Sequence, residues 1–143
     1  CQTDYFPRVD PVAIVLVTRG EQCLLGRSGK YAGTLYSALA GFVEHGESVE
    51  EAARREIKEE SGIVVGEVTY VASQPWPFPY SLMIGCYGEA LTETIVLDKD
   101  ELVDARWFTK DHLRAVLAGS VDDLTIPGRL AIARHLIEKW VAQ

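Results

Sequence analysis

The stretch that decides the fold runs from Gly41 to Ile63 and reads GFVEHGESVEEAARREIKEESGI. Its second half consists mostly of strong helix formers. Ser48 is followed three residues later by Glu51, which is the spacing of a capping box. Gly62 stands where a glycine ends many helices. The sequence therefore predicts a helix that begins after Ser48 and ends at Gly62.

Three carboxylates fall on one side of this predicted helix. Glu56, Glu59 and Glu60 occupy positions i, i+3 and i+4 and therefore share one face of one turn. One interpretation is a solvated, charged helix surface. The other is that hard oxygen ligands converge on Mg²⁺ or Mn²⁺, whose charge relieves their repulsion. Helical spacing alone leaves both interpretations open.

The wider pattern favours the metal site. After Gly41 come five residues, Glu47, seven residues, Arg-Glu, an apolar residue, one residue, Glu-Glu, one residue, a glycine and an apolar residue. This order resembles the complete Nudix box, whose fixed letters match by accident on the order of once in 10⁸ starts. The chain is identified on this resemblance as a Nudix hydrolase, which implies an α/β/α sandwich around a mixed β-sheet.

The resemblance implies roles for residues in and near the box. Glu56, Glu59 and Glu60 are the implied catalytic residues, and Glu60 is expected to be the most critical. Together with the carbonyl of Gly41, the same three carboxylates are the implied ligands of Mg²⁺ or Mn²⁺. Glu101 matches a further metal-ligating glutamate, although it equally fits an exposed acid in a carboxylate-rich turn.

Two further box residues are expected to form a structural pair. Arg55 and Glu47 are expected to hold the loop before the helix against the helix itself. The alternative is direct contact of these side chains with substrate.

A second motif narrows the substrate class. Residues 73–81 read SQPWPFPYS and match the SQPWPFPxS signature of the NADH pyrophosphatase family. That resemblance implies metal-dependent hydrolysis of the pyrophosphate bond of NAD(H) to AMP and nicotinamide mononucleotide, and NAD-cap removal from RNA by the same chemistry. The alternatives are a broader hydrolase of ADP-ribose or dinucleoside polyphosphates, and an NAD-sensing domain without turnover. Sensors tend to lose box carboxylates, and all are present here.

The same resemblance assigns substrate-binding residues position by position. Phe42 would stack on the nicotinamide ring, with a core phenylalanine as the alternative. Phe6 would supply a second aromatic wall from the partner subunit, which implies a homodimer. The remaining implied substrate-binding residues are Gln74, Ser81, Met83 and Ala133, with Ala131 as the alternative to Ala133 because the register is uncertain there.

The beginning of the chain resembles a linker. Residues 1–10 look like the end of the segment that joins a zinc ribbon to a Nudix domain, and residues 11–143 like that domain. Cys1 falls where the last cysteine of the ribbon would lie, and its three companions are missing from this sequence. We therefore expect a C-terminal fragment without a zinc site. Cys23 and Cys86 lie in apolar runs and are expected to be reduced core thiols.

Composition limits the function classes. The 143 residues carry 14 basic and 21 acidic side chains, a net charge of −7, which disfavours general nucleic-acid binding and makes capped RNA the weaker candidate substrate. The longest apolar run, Val12–Val17, is too short to cross a bilayer, and the polar residues 1–10 do not resemble a signal peptide. We therefore expect a cytoplasmic protein with no membrane partner.

Hydrophobic patterning predicts the remaining elements. The mixture of strands and helices, only partly alternating, predicts an α/β sandwich with a mixed sheet. Thr109 is a plausible helix cap, and residues 73–79 are expected to form a loop. The predicted strands are 12–17, 22–27, 35–40, 64–72, 81–89, 94–97 and 105–108, and the later predicted helices are 110–118 and 128–141.

Overall fold

The computed structural model describes residues 2–30 and 33–143 and contains a mixed sheet with three helices. The strands are β1 (Asp10–Arg19), β2 (Gln22–Arg27), β3 (Leu39–Phe42), β4 (Val65–Trp76), β5 (Ser81–Ala90) and β6 (Asp104–Thr109). The helices are α1 (Val49–Ser61), α2 (Lys110–Leu117) and α3 (Ile132–Val141). In the part of the chain that the structure describes, no helix has the length and apolar character needed to span a bilayer.

The sheet is organised around β1. Its strand order is β4-β5-β1-β2-β6, with β3 also paired to β1. One edge of β1 pairs in parallel with β5. Along its other edge, β1 pairs antiparallel first with β3 through Val12–Val15 and then with β2 from Val17 onward. The sheet therefore divides between β2 and β3, which matters for the site described below.

Helices cover both faces of the sheet, and β1 serves both cores. Ile14 and Leu16 pack on the side of α2 and α3, whereas Ala13, Val15 and Val17 pack on the side of α1. Side chains alternate along a strand, so a strand covered on both faces needs apolar residues throughout. This burial explains the uninterrupted run in the sequence. The predicted α/β/α sandwich with a mixed sheet is confirmed.

The caps predicted for α1 are confirmed. The Ser48 amide donates to the Glu51 carboxylate at 2.8 Å, and the Glu51 amide donates back to the Ser48 hydroxyl at 3.2 Å. Gly62 ends the helix at φ 71°, in the left-handed region that glycine tolerates. A Cβ at Gly62 would also lie 2.9 Å from the Cβ of Val96. Thr109 caps α2 as predicted.

Two predicted strands differ from the structure. The predicted strand 35–40 becomes β3 only at Leu39, because residues 34–37 cross the divide in the sheet and form isolated bridges there. The predicted strand 94–97 is not a strand, although Ile95 and Leu97 do pack against the core on the α1 side. Its backbone pairs instead with the end of α1, where the Val96 amide donates to the Ser61 carbonyl at 2.8 Å.

The proline-rich motif also differs from the prediction. Residues 73–76 are not loop but continue β4, with Gln74 opposite Met83 and Trp76 opposite Ser81. Pro75 is tolerated because β4 is the edge strand of the sheet, where a residue without an N–H costs no ladder bond. The motif is therefore one side of a hairpin. Its turn is confined to residues 77–80.

The last helix is shorter than predicted. It begins at Ile132 rather than near Gly128, and residues 128–131 form a turn that leads into it. Ala131 occupies the N-cap position but provides no side-chain hydrogen bond there.

Candidate active site

The three glutamates of α1 share one side of the helix but lie in different surroundings. Glu60 is buried, with 8% of its surface exposed. The side chain of Glu56 is 18% exposed, and that of Glu59 is 59% exposed. The acidic face therefore runs from solvent at Glu59 into the protein at Glu60.

Glu60 is a buried carboxylate without a cation beside it. Burial, together with the negative charges of Glu56, Glu101 and Asp98, raises its pKa to about 8. Among the described residues, no hydrogen-bond donor or cationic side chain pairs with its carboxylate. Ionised Glu60 would be stabilised strongly by a bound cation.

Arg55 neutralises the other end of the acidic face. Its Nε and Nη2 donate to the two carboxylate oxygens of Glu47 at 2.6 and 2.9 Å, and Nη2 also donates to the Phe42 carbonyl at 3.0 Å. Its Nη1 donates to Glu56 at 2.7 Å and to Glu59 at 3.2 Å. The predicted Arg55–Glu47 pair is confirmed. It fastens the box loop and the end of β3 to α1.

The electrostatics of this pair follow from its hydrogen bonds. The hydrogen bond from Arg55 is the main reason that the pKa of Glu47 is lowered to about 2. The same bond holds the pKa of Arg55 well above its ordinary value. Because the guanidinium donors are engaged with protein groups, Arg55 is a positioning residue in this arrangement.

Gly41 is required where α1 crosses β3. A Cβ on residue 41 would lie 1.9 Å from the Cδ of Glu56, inside the carboxyl group itself. Only a glycine lets the Glu56 carboxylate rest against the backbone of β3. The structure thus places the backbone of Gly41 and the carboxylate of Glu56 side by side, as expected of two ligands of one cation.

The donor set fits a hard divalent cation, although the side chains are not arranged around one. Among the described residues, no three carboxylate, imidazole or thiolate side chains converge closely enough to hold a metal ion. Glu56 and Glu59 turn to Arg55 instead. Buried Glu60, with further carboxylates nearby, nevertheless offers the all-oxygen set that Mg²⁺ and Mn²⁺ prefer. The predicted ligands Gly41, Glu56, Glu59, Glu60 and Glu101 stay a prediction.

A cavity of about 700 Å³ opens beside Glu60 where the sheet divides. Its size is in the range of ligand pockets. It draws residues from both faces of the sheet, because the gap between β2 and β3 connects the two sides. Five of the predicted site residues line it together: Gln74, Glu60, Met83, Glu101 and Ala133. Ala131 lines it as well, so both alternatives for that position reach the cavity.

Phe42 lies beside this cavity on the same face of the sheet. Phe42 pairs with Val12, Val12 with Met83, and Met83 with Gln74, so the four residues form one row across four strands. Paired residues of neighbouring strands project to the same face. Phe42 is 57% exposed, so the alternative of a core phenylalanine is wrong.

Gln74 has a second role that the sequence did not indicate. Its Nε2 donates to the Leu130 carbonyl at 2.6 Å, and its Oε1 accepts from the Ile132 amide at 2.9 Å. Both ends of the amide therefore bind the backbone at the start of α3, where Ala131 provides no cap. Gln74 fixes the segment that carries Ala131 and Ala133 to the cavity.

Other predicted residues lie outside the cavity lining. Phe6 is 84% exposed within an exposed N-terminal segment, and Glu59 faces solvent. Ser81 is half-buried opposite Trp76, two residues along β5 from Met83 and on the same face. Cys1, the predicted remnant of a zinc ribbon, lies outside the described residues.

Lys30 is a cavity residue that the sequence analysis assigned no role. It lines the cavity together with Ser28, and among the described lining residues it is the one cationic side chain. Lys30 lies in a glycine-containing loop that matches no motif, so the sequence did not indicate a binding role for it. A lysine here suits an anionic ligand.

Comparison with known proteins agrees with this geometry. A family model described as a NUDIX domain matches residues 7–126. The chain is 49% identical over 139 residues to the human "NAD-capped RNA hydrolase NUDT12", covering 95% of this chain and 30% of that protein. It is 46% identical over 143 residues to the "NAD-capped RNA hydrolase NudC" of Stutzerimonas stutzeri (strain A1501), covering 100% and 48%. The chain thus spans less than half the length of these relatives.

Solved structures share the fold. A NUDIX hydrolase from Nitrosomonas europaea superimposes with a TM-score of 0.77 at 17% identity, covering 99% of this chain and 75% of that one. Another NUDIX hydrolase from the same organism gives a TM-score of 0.70 at 22% identity, covering 94% and 90%. At these identities the likeness shows the fold alone. Box, fold and family model agree, and the chain belongs to the Nudix family.

Proposed function

We propose that this chain hydrolyses the pyrophosphate bond of NAD(H) in a metal-dependent reaction that yields AMP and nicotinamide mononucleotide. One observation carries the proposal. The SQPWPFPYS hairpin places Gln74 and Trp76 on the wall of the same cavity that Glu60 and Glu101 line. The motif associated with NAD and the carboxylates associated with hydrolysis therefore face one space.

The chain supplies the groups that this reaction needs. Gly41, Glu56, Glu59, Glu60 and Glu101 would hold Mg²⁺ or Mn²⁺, the kind of divalent ion that Nudix hydrolases use. Such an ion, when bound, neutralises phosphate charge and lowers the pKa of an attacking water. Arg55 holds Glu56 and the box loop in position, and Lys30 binds a phosphate oxygen of the substrate. Glu60 is the carboxylate that we assign as essential.

The aromatic residues around the cavity suit the nicotinamide half. Phe42 offers an exposed ring on the side where Met83 and Gln74 lie. We propose that Phe6 of the partner subunit forms the opposite wall in a homodimer. The exposure of several large apolar side chains supports this, because exposed apolar surface marks an interaction site where such side chains form one patch. These side chains are Tyr5, Phe6, Val9, Phe42 and Phe78.

NAD-capped RNA is the second candidate substrate. Both relatives described above are named as NAD-capped RNA hydrolases, and cap removal breaks the same pyrophosphate bond. The net charge of −7 favours the free dinucleotide over RNA.

We further propose a cytoplasmic location, a reducing compartment that suits the free, buried thiols of Cys23 and Cys86.

The test is a substrate comparison. NADH, NAD, ADP-ribose and a dinucleoside polyphosphate are incubated with the protein and Mg²⁺ or Mn²⁺, and products are separated by chromatography. We expect NADH to yield AMP and nicotinamide mononucleotide. We also expect NADH to be cleaved faster than ADP-ribose. The Glu60→Gln variant should lose about 10²–10⁴-fold in turnover. The matched control Glu50→Gln, exposed on the same helix, should retain it.

Two results would count against the proposal. Faster cleavage of ADP-ribose than of NADH overturns the substrate assignment. Full turnover by Glu60→Gln overturns the catalytic assignment.

A further inference from the structure

A second, smaller cavity of about 360 Å³ lies next to the first. The extended segment 34–37 separates them, and its side chains alternate between the two. Leu35 and Ser37 line the larger cavity, whereas Thr34 and Tyr36 line the smaller one. The lining of the smaller cavity also includes Arg27 on β2. The two spaces are therefore neighbours across a single stretch of chain.

Two guanidinium groups meet at the aromatic ring of the smaller cavity. The Arg27 guanidinium lies 6.0 Å from the centre of the Tyr36 ring, and the Arg106 guanidinium lies 5.8 Å from it. The ring is itself fixed, because Tyr36 is buried and packs edge-on against Phe108 with 5.3 Å between centroids. Cation–π contact of this kind helps to hold both guanidinium groups at the ring.

The two carboxylates at this cavity pair with groups other than Arg27. The Asp104 carboxylate accepts a hydrogen bond from the Tyr36 hydroxyl. It also accepts one from the Nε of Arg106, at 2.7 Å. Asp104 stands opposite Arg27 across β2 and β6, yet Arg27 forms no ion pair with it or with any other carboxylate in residues 2–30 and 33–143. Asp123 lies on the cavity rim, 3.2 Å from His112.

An arginine without a carboxylate is unusual in this chain. Acidic side chains outnumber basic ones by 21 to 14. Most of the other arginines lie in ion pairs: these are Arg8, Arg19, Arg55, Arg106, Arg114 and Arg134. Arg27 is also half-buried, so it is not simply a solvated surface charge. A half-buried arginine that pairs with no carboxylate, in a cavity whose own carboxylate, Asp123, lies against His112, is suited to an anion from solution.

We propose that the smaller cavity binds a phosphate group between Arg27 and Arg106. A phosphate has enough oxygens to accept from two guanidinium groups at once, and the Thr34 hydroxyl in the lining can donate to it when the Thr125 hydroxyl, 3.1 Å away, donates to Thr34. The phosphate belongs either to a free phosphate compound such as AMP or to the chain of an RNA whose first nucleotide occupies the larger cavity. The second source rests on the proposed function, whereas the site itself does not.

The first experiment measures binding at the site itself. Inorganic phosphate is titrated into the metal-free wild-type protein at constant ionic strength, with nitrogen–proton NMR spectra of the arginine Nε–H groups. We expect saturable shifts at Arg27 and Arg106, and at the Thr34 amide. The absence of saturable shifts at these positions overturns the proposal, and this readout does not depend on any variant folding.

Variants then test which groups hold the anion. The double variant Arg27→Gln with Arg106→Gln keeps polar side chains but removes both charges, and should weaken phosphate binding at least tenfold. Arg27→Lys keeps the charge without the fork and should give intermediate affinity. The control Lys139→Gln removes one exposed charge on α3 and should bind as the wild type does. Unchanged affinity in the double variant contradicts the proposal.

Kinetics separate the two sources of phosphate. If the site serves RNA, the double variant raises the KM for an NAD-capped oligoribonucleotide about tenfold and leaves the KM for NAD unchanged. If it serves a free phosphate compound, both KM values are unchanged while binding of phosphate and AMP is lost. If the arginine NMR signals of the wild type shift with phosphate but the protein hydrolyses neither substrate, the proposed function is contradicted. The proposed phosphate site is still supported in that case.

Discussion

The two ends of the acidic face on α1 solve the same electrostatic problem differently. At the Glu56 and Glu59 end, Arg55 provides a cation from the chain itself and ties these carboxylates to Glu47 and β3. At the Glu60 end, the carboxylate is buried and its pKa is raised, with further acids nearby. The difference shows that one end is complete as folded, whereas the other is suited to an external cation.

The largest effect in this comparison is expected where Glu56 packs against β3, from Gly41→Ala. The added methyl group would coincide with the Glu56 carboxyl, 1.9 Å from its Cδ, so α1 or the carboxylate must shift. We expect turnover to fall at least 10²-fold, because a displacement of about 1 Å is enough for such a loss. Gly20→Ala serves as a control in thermal unfolding only. An alanine at residue 20 would be strained by the positive φ, but its methyl group would meet no neighbouring atom.

Steady-state rates and a metal-binding isotherm measure this effect. Wild-type turnover in Gly41→Ala would contradict the packing of Glu56 against β3.

The next effect is a pH dependence of stability at the Glu60 end. In the unfolded chain Glu60 ionises near its ordinary value of 4.5, whereas in the metal-free fold its pKa is about 8. The unfolded state therefore loses this proton first, and this group destabilises the fold progressively as pH rises from 4.5 to 8. Glu60→Gln should exceed the wild type in unfolding free energy by roughly 1–3 kcal/mol at pH 8.

Denaturant unfolding in a chelator at pH 5 and pH 8 measures this difference. It should be much smaller at pH 5, and Mg²⁺ should reverse it at pH 8 by stabilising the wild type. The control Glu59→Gln, on the exposed side of Arg55, should show no such trend. A pH-independent difference for Glu60→Gln would argue against a proton held by burial.

A smaller effect is expected at the Arg55 end. Arg55→Lys keeps the charge but loses the bidentate bond to Glu47, and should cost about 1–2 kcal/mol of unfolding free energy. The depressed pKa of Glu47 stabilises the fold above pH 4.5, and this contribution is lost as pH falls toward 2. Acid unfolding followed by circular dichroism should therefore show a shallower dependence in the variant. An identical acid transition would contradict the role given to this pair.

The smallest effect concerns Gln74, which borders the cavity but holds α3. Gln74→Glu keeps the acceptor for the Ile132 amide and loses the donor to the Leu130 carbonyl. We expect the KM for NADH to rise several-fold with little change in kcat, because the cavity wall is loosened and the carboxylates are untouched. Hydrogen exchange at the Ile132 amide should stay slow in Gln74→Glu and accelerate in Gln74→Leu. Equal protection of the Ile132 amide from exchange in both variants would contradict the positioning role of Gln74.

Local patterns predicted α1 well, because its determinants are close in sequence. Ser48, Glu51 and Gly62 act within the helix and its ends, and the strong helix formers between them leave little alternative. The segment 94–97 was predicted wrongly because its β-branched residues suit a strand. Only the fold shows that its N–H groups bind the end of α1, where the Val96 amide reaches Ser61.

The site was predictable in part for the same reason. Helical spacing places Glu56, Glu59 and Glu60 on one side, but it does not show that Arg55 engages the first two and that the third is buried. The partners of Gln74 lie 56 and 58 residues away, so no local pattern indicates them. The smaller cavity likewise depends on register between β2 and β6, which joins residues about 80 positions apart in the chain.

The most direct test of the central claim is calorimetric titration of Mn²⁺ and Mg²⁺ into the wild type and Glu60→Gln, with and without AMP. We expect saturable binding to the wild type that weakens at least tenfold in Glu60→Gln. We also expect Glu50→Gln to bind as the wild type does. No saturable uptake of either ion by the wild type, in the presence or absence of nucleotide, would contradict the central claim.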